Sequence, residues 1–331
     1  MPTIADVARK AGVSAPHAAR VLSGKGYASA EVRERVLRAA QEIDYVPNRL
    51  ARGLRSRHTD TIGLVISDVE NPFYSQIAKT VETESKERGY HVVLCNSSDD
   101  PAEERHYLNL LEALRVDGVI VTPSPGRSAE LKRLREGGTV VIQMDRKAPG
   151  LKADAVLVAN AAGAERAVDH LIENGHRRIG ILSGPRTITS GRERLAGFVR
   201  ALEKHRIRPQ EKLMRVGSFQ RASAMEDARA LLAARPTAIF AANNILAEAV
   251  MLVLHGQEAR VPDDVSLVAF DDTPWMSLVN PPLTTIRQPI ADMARAAVAM
   301  LTRRLGDGKA SPETVVFEPE LVVRGSVATL R

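Results

Sequence analysis

The segment "TIADVARKAGVSAPHAARVLSG", residues 3–24, decides how the N-terminal part of the chain folds. Ile4, Val7, Ala8 and Ala11 recur at helical spacing. Thr3 stands at the N-cap position, Asp6 follows as the other half of a capping box, and Gly12 ends the run. After the Gly12-Val13 turn, Ser14 can cap a second helix. Pro16 falls in its first turn, where a missing N–H costs little, and Ala18, Val21 and Leu22 form its apolar stripe. A third helix is predicted from about Ser29, with Val32, Val36, Ala40 and Ile43 inward, ending near "DYVPN" (44–48). Two short helices joined by a tight turn and backed by a third make a helix-turn-helix, whose second helix can lie in the major groove with its N-terminal residues against base edges; small three-helix units also serve as protein-binding modules.

The charge distribution agrees. The 331-residue chain carries a formal +6; residues 1–60 hold eleven basic against six acidic side chains, and the remainder is nearly balanced at thirty-five against thirty-four. A basic excess confined to one small unit fits a phosphate-backbone binder. "PNRLARGLRSRHTDT" (47–61) prolongs it with Arg49, Arg52, Arg55 and Arg57, and spaces Leu50 and Leu54 four apart. The length allows two or three domains, each with its own core. No apolar run approaches the length of a membrane span, and the chain starts on a polar, capped helix instead of a leader, so a cytoplasmic protein without membrane association is expected. Cys95, the single cysteine, lies in the apolar run "HVVLC" (91–95) and reads as a buried thiol. His170 and His176 have no Cys or Glu at metal-ligand spacing, so neither metal nor cofactor is expected.

From Thr61 onward short β-rich runs alternate with amphipathic helical stretches such as "SQIAKTVETESKERG" (75–89) and "EERHYLNLLEALR" (103–115). The candidate strands are "TIGLVIS" (61–67), "HVVLC" (91–95), "GVIVT" (118–122), "VVIQM" (140–144), "RIGILSG" (178–184), "TAIFA" (237–241) and "VSLVAFD" (265–271). This alternation predicts an α/β core of parallel sheets with crossover helices, long enough for two subdomains. Marks of an enzyme are missing: no G-x-G-x-x-G follows a strand, "SGKG" (23–26) lacks the upstream glycine of a phosphate loop, and there is no G-x-S-x-G elbow. Asp271 and Asp272 are adjacent, and on a strand end they would point to different sides, which argues against a paired-carboxylate site. Polar and aromatic residues gather instead at strand ends, where open α/β sheets bind ligands. They are Asn71, Phe73 and Tyr74 in "DVENPFY", Asp145 and Arg146 in "MDR", Arg194 in "RERLAGF", Phe219 in "GSF", Asn243 in "AANN", Asp271 in "AFDD" and Gln288 in "IRQP". The mixture suits a sugar, whose hydroxyls take bidentate Asp, Asn and Arg partners while its C–H face takes an aromatic wall.

Residues 3–14, "RVLSG" (20–24), "YVPNRLARGL" (45–54), "TIGLVISDVENPFY" (61–74), "GHRRIGILSGP" (175–185), "RERLAGF" (192–198) and "FDDTPWMSLVNPPLTTIRQP" (270–289) together resemble the lactose-repressor (LacI/GalR) family of transcription regulators. The resemblance implies a helix-turn-helix domain at 1–46, a hinge helix at 47–60 and an effector-binding, dimerising core at 61–331, built like a periplasmic sugar-binding protein. Its N-subdomain would span about 61–159 and 287–317 and its C-subdomain about 160–286 and 318–331, with chain crossovers near Asn160, Ile286 and Glu318. It also implies a homodimer on a palindromic operator, with Leu54 wedged into the minor groove and Thr3, Ser14, Asn48 and Arg52 among the DNA contacts. Ala15 and Pro16 offer only apolar contact, for example to a thymine methyl, whereas Arg20 can reach guanine O6 and N7 with two bonds and should carry most direct readout. His17, in "HAA" where the family commonly has Thr-Val-Ser, could meet phosphate or base; Gly53 also departs from the pattern. In the core, Asn71, Phe73, Asp145, Arg146, Arg194, Phe219, Asn243, Asp271 and Gln288 match ribose-binding relatives, while Tyr74 replaces a second phenylalanine. Ile188 stands where the family's purine repressor carries a ligand-contacting arginine, so a pentose or related small sugar is favoured, with nucleosides and sugar phosphates open. Trp275 suits either closure over the ligand or a subunit interface. No leucine-heptad tail follows the core, so tetramers of that kind are not expected. The competing classes are a sugar-binding transport component and an enzyme acting on sugars.

Overall fold

The computed structural model describes residues 2–22, 27–45, 58–126, 128–306 and 311–330, and the chain divides into one unit ending at Thr59 and another beginning at Asp60. In the first unit, helices α1 (Ile4–Ala11), α2 (Ala15–Leu22) and α3 (Ala30–Glu42) follow the local signals. The Thr3 Oγ1 accepts from the Asp6 N–H and the Asp6 carboxylate accepts from the Thr3 N–H at 2.9 Å, satisfying two donors that a helix start leaves open. Gly12 ends α1 at φ +64°, a conformation glycine adopts without steric cost. The Ser14 carbonyl receives the first N–H groups of α2, from His17 and Ala18. Val7, Ala8, Ala11, Ala18, Val21, Val36, Ala39 and Ala40 form the core, with Leu22, Val32 and Ile43 half-buried at its margin. The proposed DNA contacts Asn48, Arg52 and Leu54, and Gly53 beside them, lie outside the described residues.

The second unit holds two six-stranded sheets, in the order β11-β5-β4-β3-β1-β2 and β12-β10-β9-β8-β6-β7. The first comprises β1 (Thr61–Ile66), β2 (His91–Asn96), β3 (Gly118–Val121), β4 (Val140–Met144), β5 (Asp154–Val158) and β11 (Thr314–Phe317). The second comprises β6 (Ile179–Ser183), β7 (Met214–Val216), β8 (Ala238–Ala241), β9 (Ser266–Phe270), β10 (Thr284–Arg287) and β12 (Glu320–Val322). All pairings are parallel except β10 with β12. Strands such as β3, β6, β8 and β9 are buried along their whole length, which is why their sequences are near-continuous apolar runs.

Helices Pro72–Glu87 and Ile290–Gly306 cover one face of the first sheet, and Pro101–Ala113 with Ala129–Glu136 the other. The chain passes between the sheets three times: after β5, after β10 and between β11 and β12. Helix Ile290–Gly306 is fastened to β5 by a buried pair, Arg304 Nε to Asp154 Oδ2 at 2.8 Å and Nη2 to Oδ1 at 2.6 Å. His176 is structural: its ring nitrogens meet Thr237 Oγ1 at 3.0 Å and the Ala328 carbonyl at 3.1 Å. Burial pushes the Cys95 thiol up to about 11, far from the range of a reactive thiolate.

Candidate functional site

Parallel strands bring their C-terminal ends to one side, and in both sheets those ends carry the polar residues singled out in the sequence. After β1, Asn71 caps helix Pro72–Glu87, its Oδ1 accepting from the Phe73 N–H at 3.0 Å. Phe73 and Tyr74 are buried and meet edge to face at 4.9 Å. Asp145 and Arg146 follow β4 directly. In the other sheet Asp271 follows β9, Asn243 follows β8 and caps helix Asn244–Gly256, and Gln288 follows β10. Arg194 projects from helix Thr189–Lys204, and Phe219 comes from the loop after β7. All ten line one cleft of about 650 Å³ between the sheets, within the range of small-molecule sites. Asp145 and Asp271, directly after β4 and β9, both hold positive φ, +66° and +74°, an uncommon conformation for a side chain other than glycine.

The polar groups on the cleft floor are tied to one another. Arg146 donates from Nε to Asp145 Oδ2 at 3.2 Å, from Nη1 to Asp99 Oδ1 at 2.5 Å and from Nη2 to the Tyr74 hydroxyl at 2.8 Å. Burial opposes its charge, yet Tyr74, Asp99 and Asp145 outweigh that and hold the guanidinium protonated above its usual range. Burial raises the Asp145 carboxyl, against the pull of Arg146 and Arg194. Arg194 donates from Nε to Asn160 Oδ1 at 2.8 Å and from Nη1 to the Ala242 carbonyl at 2.7 Å, and lies 3.7 Å over the Phe270 ring. Burial lowers its pKa, with Asp271 and Asp145 opposing. Asp271 accepts from Gln288 Nε2 at 2.6 Å and from the Asn244 N–H at 3.1 Å, while the buried Gln288 Oε1 has no protein partner among the described residues. The Phe219 ring lies against Gly184, where any Cβ would collide with it. Asn244 Nδ2 reaches across the cleft to Asn71 Oδ1 at 2.9 Å, and Thr189 Oγ1 donates to the Lys147 carbonyl at 3.3 Å.

Asp99 and Asn244 were not singled out in the sequence. Asp99 follows β2 in "NSSDD" (96–100), so the rule of polar residues after strand ends could have found it. Asn244 sits beside a residue that was chosen. In the helical unit Thr3, Ser14, Pro16 and Arg20 are exposed, whereas Ala15 and His17 are half-buried and His17 Nε2 has no partner among the described residues.

Residues 3–48 match the model of bacterial regulatory proteins of the lacI family, and residues 168–327 that of a periplasmic binding protein-like domain. The HTH-type transcriptional repressor PurR of Mannheimia succiniciproducens is 33% identical over 99% of this chain and 99% of its own length. The ribose operon repressor of Halalkalibacterium halodurans is 35% identical, over 98% of this chain and 96% of its own. The chain belongs to the lacI family. A solved structure, the lac repressor dimer bound to operator and the anti-inducer ONPF, matches this lacI-family chain with a TM-score of 0.86 and 28% identity, covering 99% of both chains. The protein is accordingly a DNA-binding transcriptional repressor with a ligand-binding core, and not an enzyme.

Proposed function

We propose that this repressor acts as a homodimer on a palindromic operator and that a small, neutral sugar of pentose type, held in the cleft, sets its operator affinity. Residues 1–46 serve as the DNA-binding domain, 47–60 as the hinge and 61–331 as the effector-binding and dimerising core. Thr3, Ser14, Ala15, Pro16, His17 and Arg20 meet the operator, with Asn48, Arg52 and Leu54 of the hinge. The observation that carries the ligand class is the wall of the cleft. Phe73 and Phe219 supply aromatic surface, Asn71, Arg194, Asn243, Asp271 and Gln288 supply donors and acceptors, and Ile188 brings no polar group to the same wall. Among the described residues, five carboxylates line the cleft against three guanidinium groups, an unfavourable setting for a phosphate. The Asn71–Asn244 and Lys147–Thr189 bonds join the two halves across the cleft, so a ligand seated between them favours one separation of the halves over another.

The test is a thermal-shift screen of pentoses, hexoses, nucleosides and sugar phosphates, because a ligand that binds only the native state raises the melting temperature by mass action. It is followed by operator footprinting with and without the hit. A neutral pentose should raise the melting temperature and change occupancy of a palindromic footprint. Stabilisation by nucleosides or phosphates alone would overturn the sugar assignment, and a sedimenting monomer at footprinting concentration would overturn the dimer.

A further inference from the structure

We propose that the Tyr74 hydroxyl occupies the place of a ligand hydroxyl between Asp145 and Arg146, so that the cleft selects a sugar lacking one hydroxyl on that side. The inference rests on the sugar-binding reading of the cleft. The phenol oxygen accepts from Arg146 Nη2 at 2.8 Å and its O–H points to Asp145 Oδ2 at 3.3 Å, the two bonds a sugar hydroxyl would make between a guanidinium and a carboxylate. With Nε on Asp145 and Nη1 on Asp99, every nitrogen of Arg146 already has a protein acceptor. Arg194 differs: of its three nitrogens, Nη2 alone has no protein partner among the described residues. Arg146 is thus more fully engaged by the protein than Arg194 is. Tyr74 is 5% exposed and its ring is fixed edge-on against Phe73, so the hydroxyl is held where it stands. Burial keeps the phenol protonated far above its ordinary range, which preserves its role as a donor.

A site built to bond a hydroxyl strongly rejects the analogue without it, and a site already filled by a protein hydroxyl does not. The experiment is calorimetric titration of the full chain and of Tyr74→Phe with D-ribose and its 2-, 3- and 5-deoxy derivatives. In the unaltered protein one deoxy derivative should bind at least as tightly as D-ribose. In Tyr74→Phe that same derivative should bind at least tenfold more weakly than D-ribose, whose hydroxyl now enters between Asp145 and Arg146. Tyr74→Phe should also melt lower without ligand and recover more of the loss with D-ribose than with the deoxy form. Tyr74→Met, also without a hydroxyl, makes the same test should the phenylalanine protein fail to fold. If both proteins bind D-ribose and every deoxy derivative changes affinity by one common factor in the two, the hydroxyl replacement is wrong and the sugar reading stands. If neither protein binds any of the four sugars, the pentose reading falls and this inference falls with it.

Discussion

Two glycines a few residues apart separate the binding function of the cleft from its stability. At Gly184 an added Cβ would run into the outer edge of the Phe219 ring, whereas at Gly191 it would sit 2.6 Å from the Pro185 carbonyl oxygen, which is backbone. Phe219 is half-buried on a loop and can swing aside. Gly191 is buried in the first turn of a helix and has no such outlet. Gly184→Ala should therefore cost under about 1 kcal/mol of stability, because a side chain yields, while Gly191→Ala should cost about 1–3 kcal/mol, the range for overpacking a well-filled interior. The order reverses for ligand binding. A displaced Phe219 takes away one aromatic wall, a loss of about 1–1.5 kcal/mol or roughly 5- to 10-fold in Kd. Denaturant melts of both variants give the stability, and calorimetry with the sugar found by the screen gives the affinity. Full affinity in Gly184→Ala, or a stability loss equal to that of Gly191→Ala, would refute the claim that Phe219 is a mobile wall of the site.

Arg20→Ala should weaken operator binding by about 1–3 kcal/mol and relax discrimination at one base pair per half-site, and binding should fall steeply with salt; titrations against operator and single-mismatch duplexes check this. Arg304→Met should cost about 3–5 kcal/mol, since it strands the buried Asp154 carboxylate, and a thermal melt reads the loss. Asp272 is bonded to Arg324 and Arg287; burial works to raise its pKa, but these two groups outweigh it and hold the carboxyl below the usual 3.8. A depressed folded-state pKa adds stability that is present above the unfolded value and lost as pH falls through the folded one. Asp272→Asn should thus lower stability at neutral pH and flatten its fall below about pH 4, as stability measured from pH 2 to 7 will reveal.

The helix-turn-helix could be read from local chemistry because each boundary has its own signal: Thr3 with Asp6 at one start, Gly12 at a left-handed stop, Pro16 in a first turn. All seven strands expected from apolar runs are present, as β1 to β4, β6, β8 and β9. Five were missed. β7, β10 and β12 are "MRV", "TTIR" and "ELV", three or four residues with polar members, and they are strands because of the neighbours they pair with. β5 opens on Asp154, which a strand core accepts only because Arg304, 150 residues away, neutralises it. Nine of the ten cleft residues could be found because they follow a strand end or open a helix there, whereas Arg194 lies in the second turn of helix Thr189–Lys204. Their mutual bonds could not: Arg146 is engaged by Asp99 and Tyr74, which lie 47 and 72 residues away, and no spacing within a segment signals that.

The three passages between the sheets also order events during synthesis. The helical unit is finished once the ribosome has made about sixty residues, and its core draws on nothing later. The first sheet must wait for helix Ile290–Gly306, whose Met293, Val298 and Leu301 fill its core, and for β11 at residues 314–317, while the second waits for β12 at 320–322. Neither half of the cleft is closed until nearly the whole message has been translated. A chain cut short anywhere between about residue 60 and residue 290 therefore carries the complete helical unit joined to a core in which both sheets lack a strand and the first lacks a covering helix, the kind of partly folded species that exposes apolar surface.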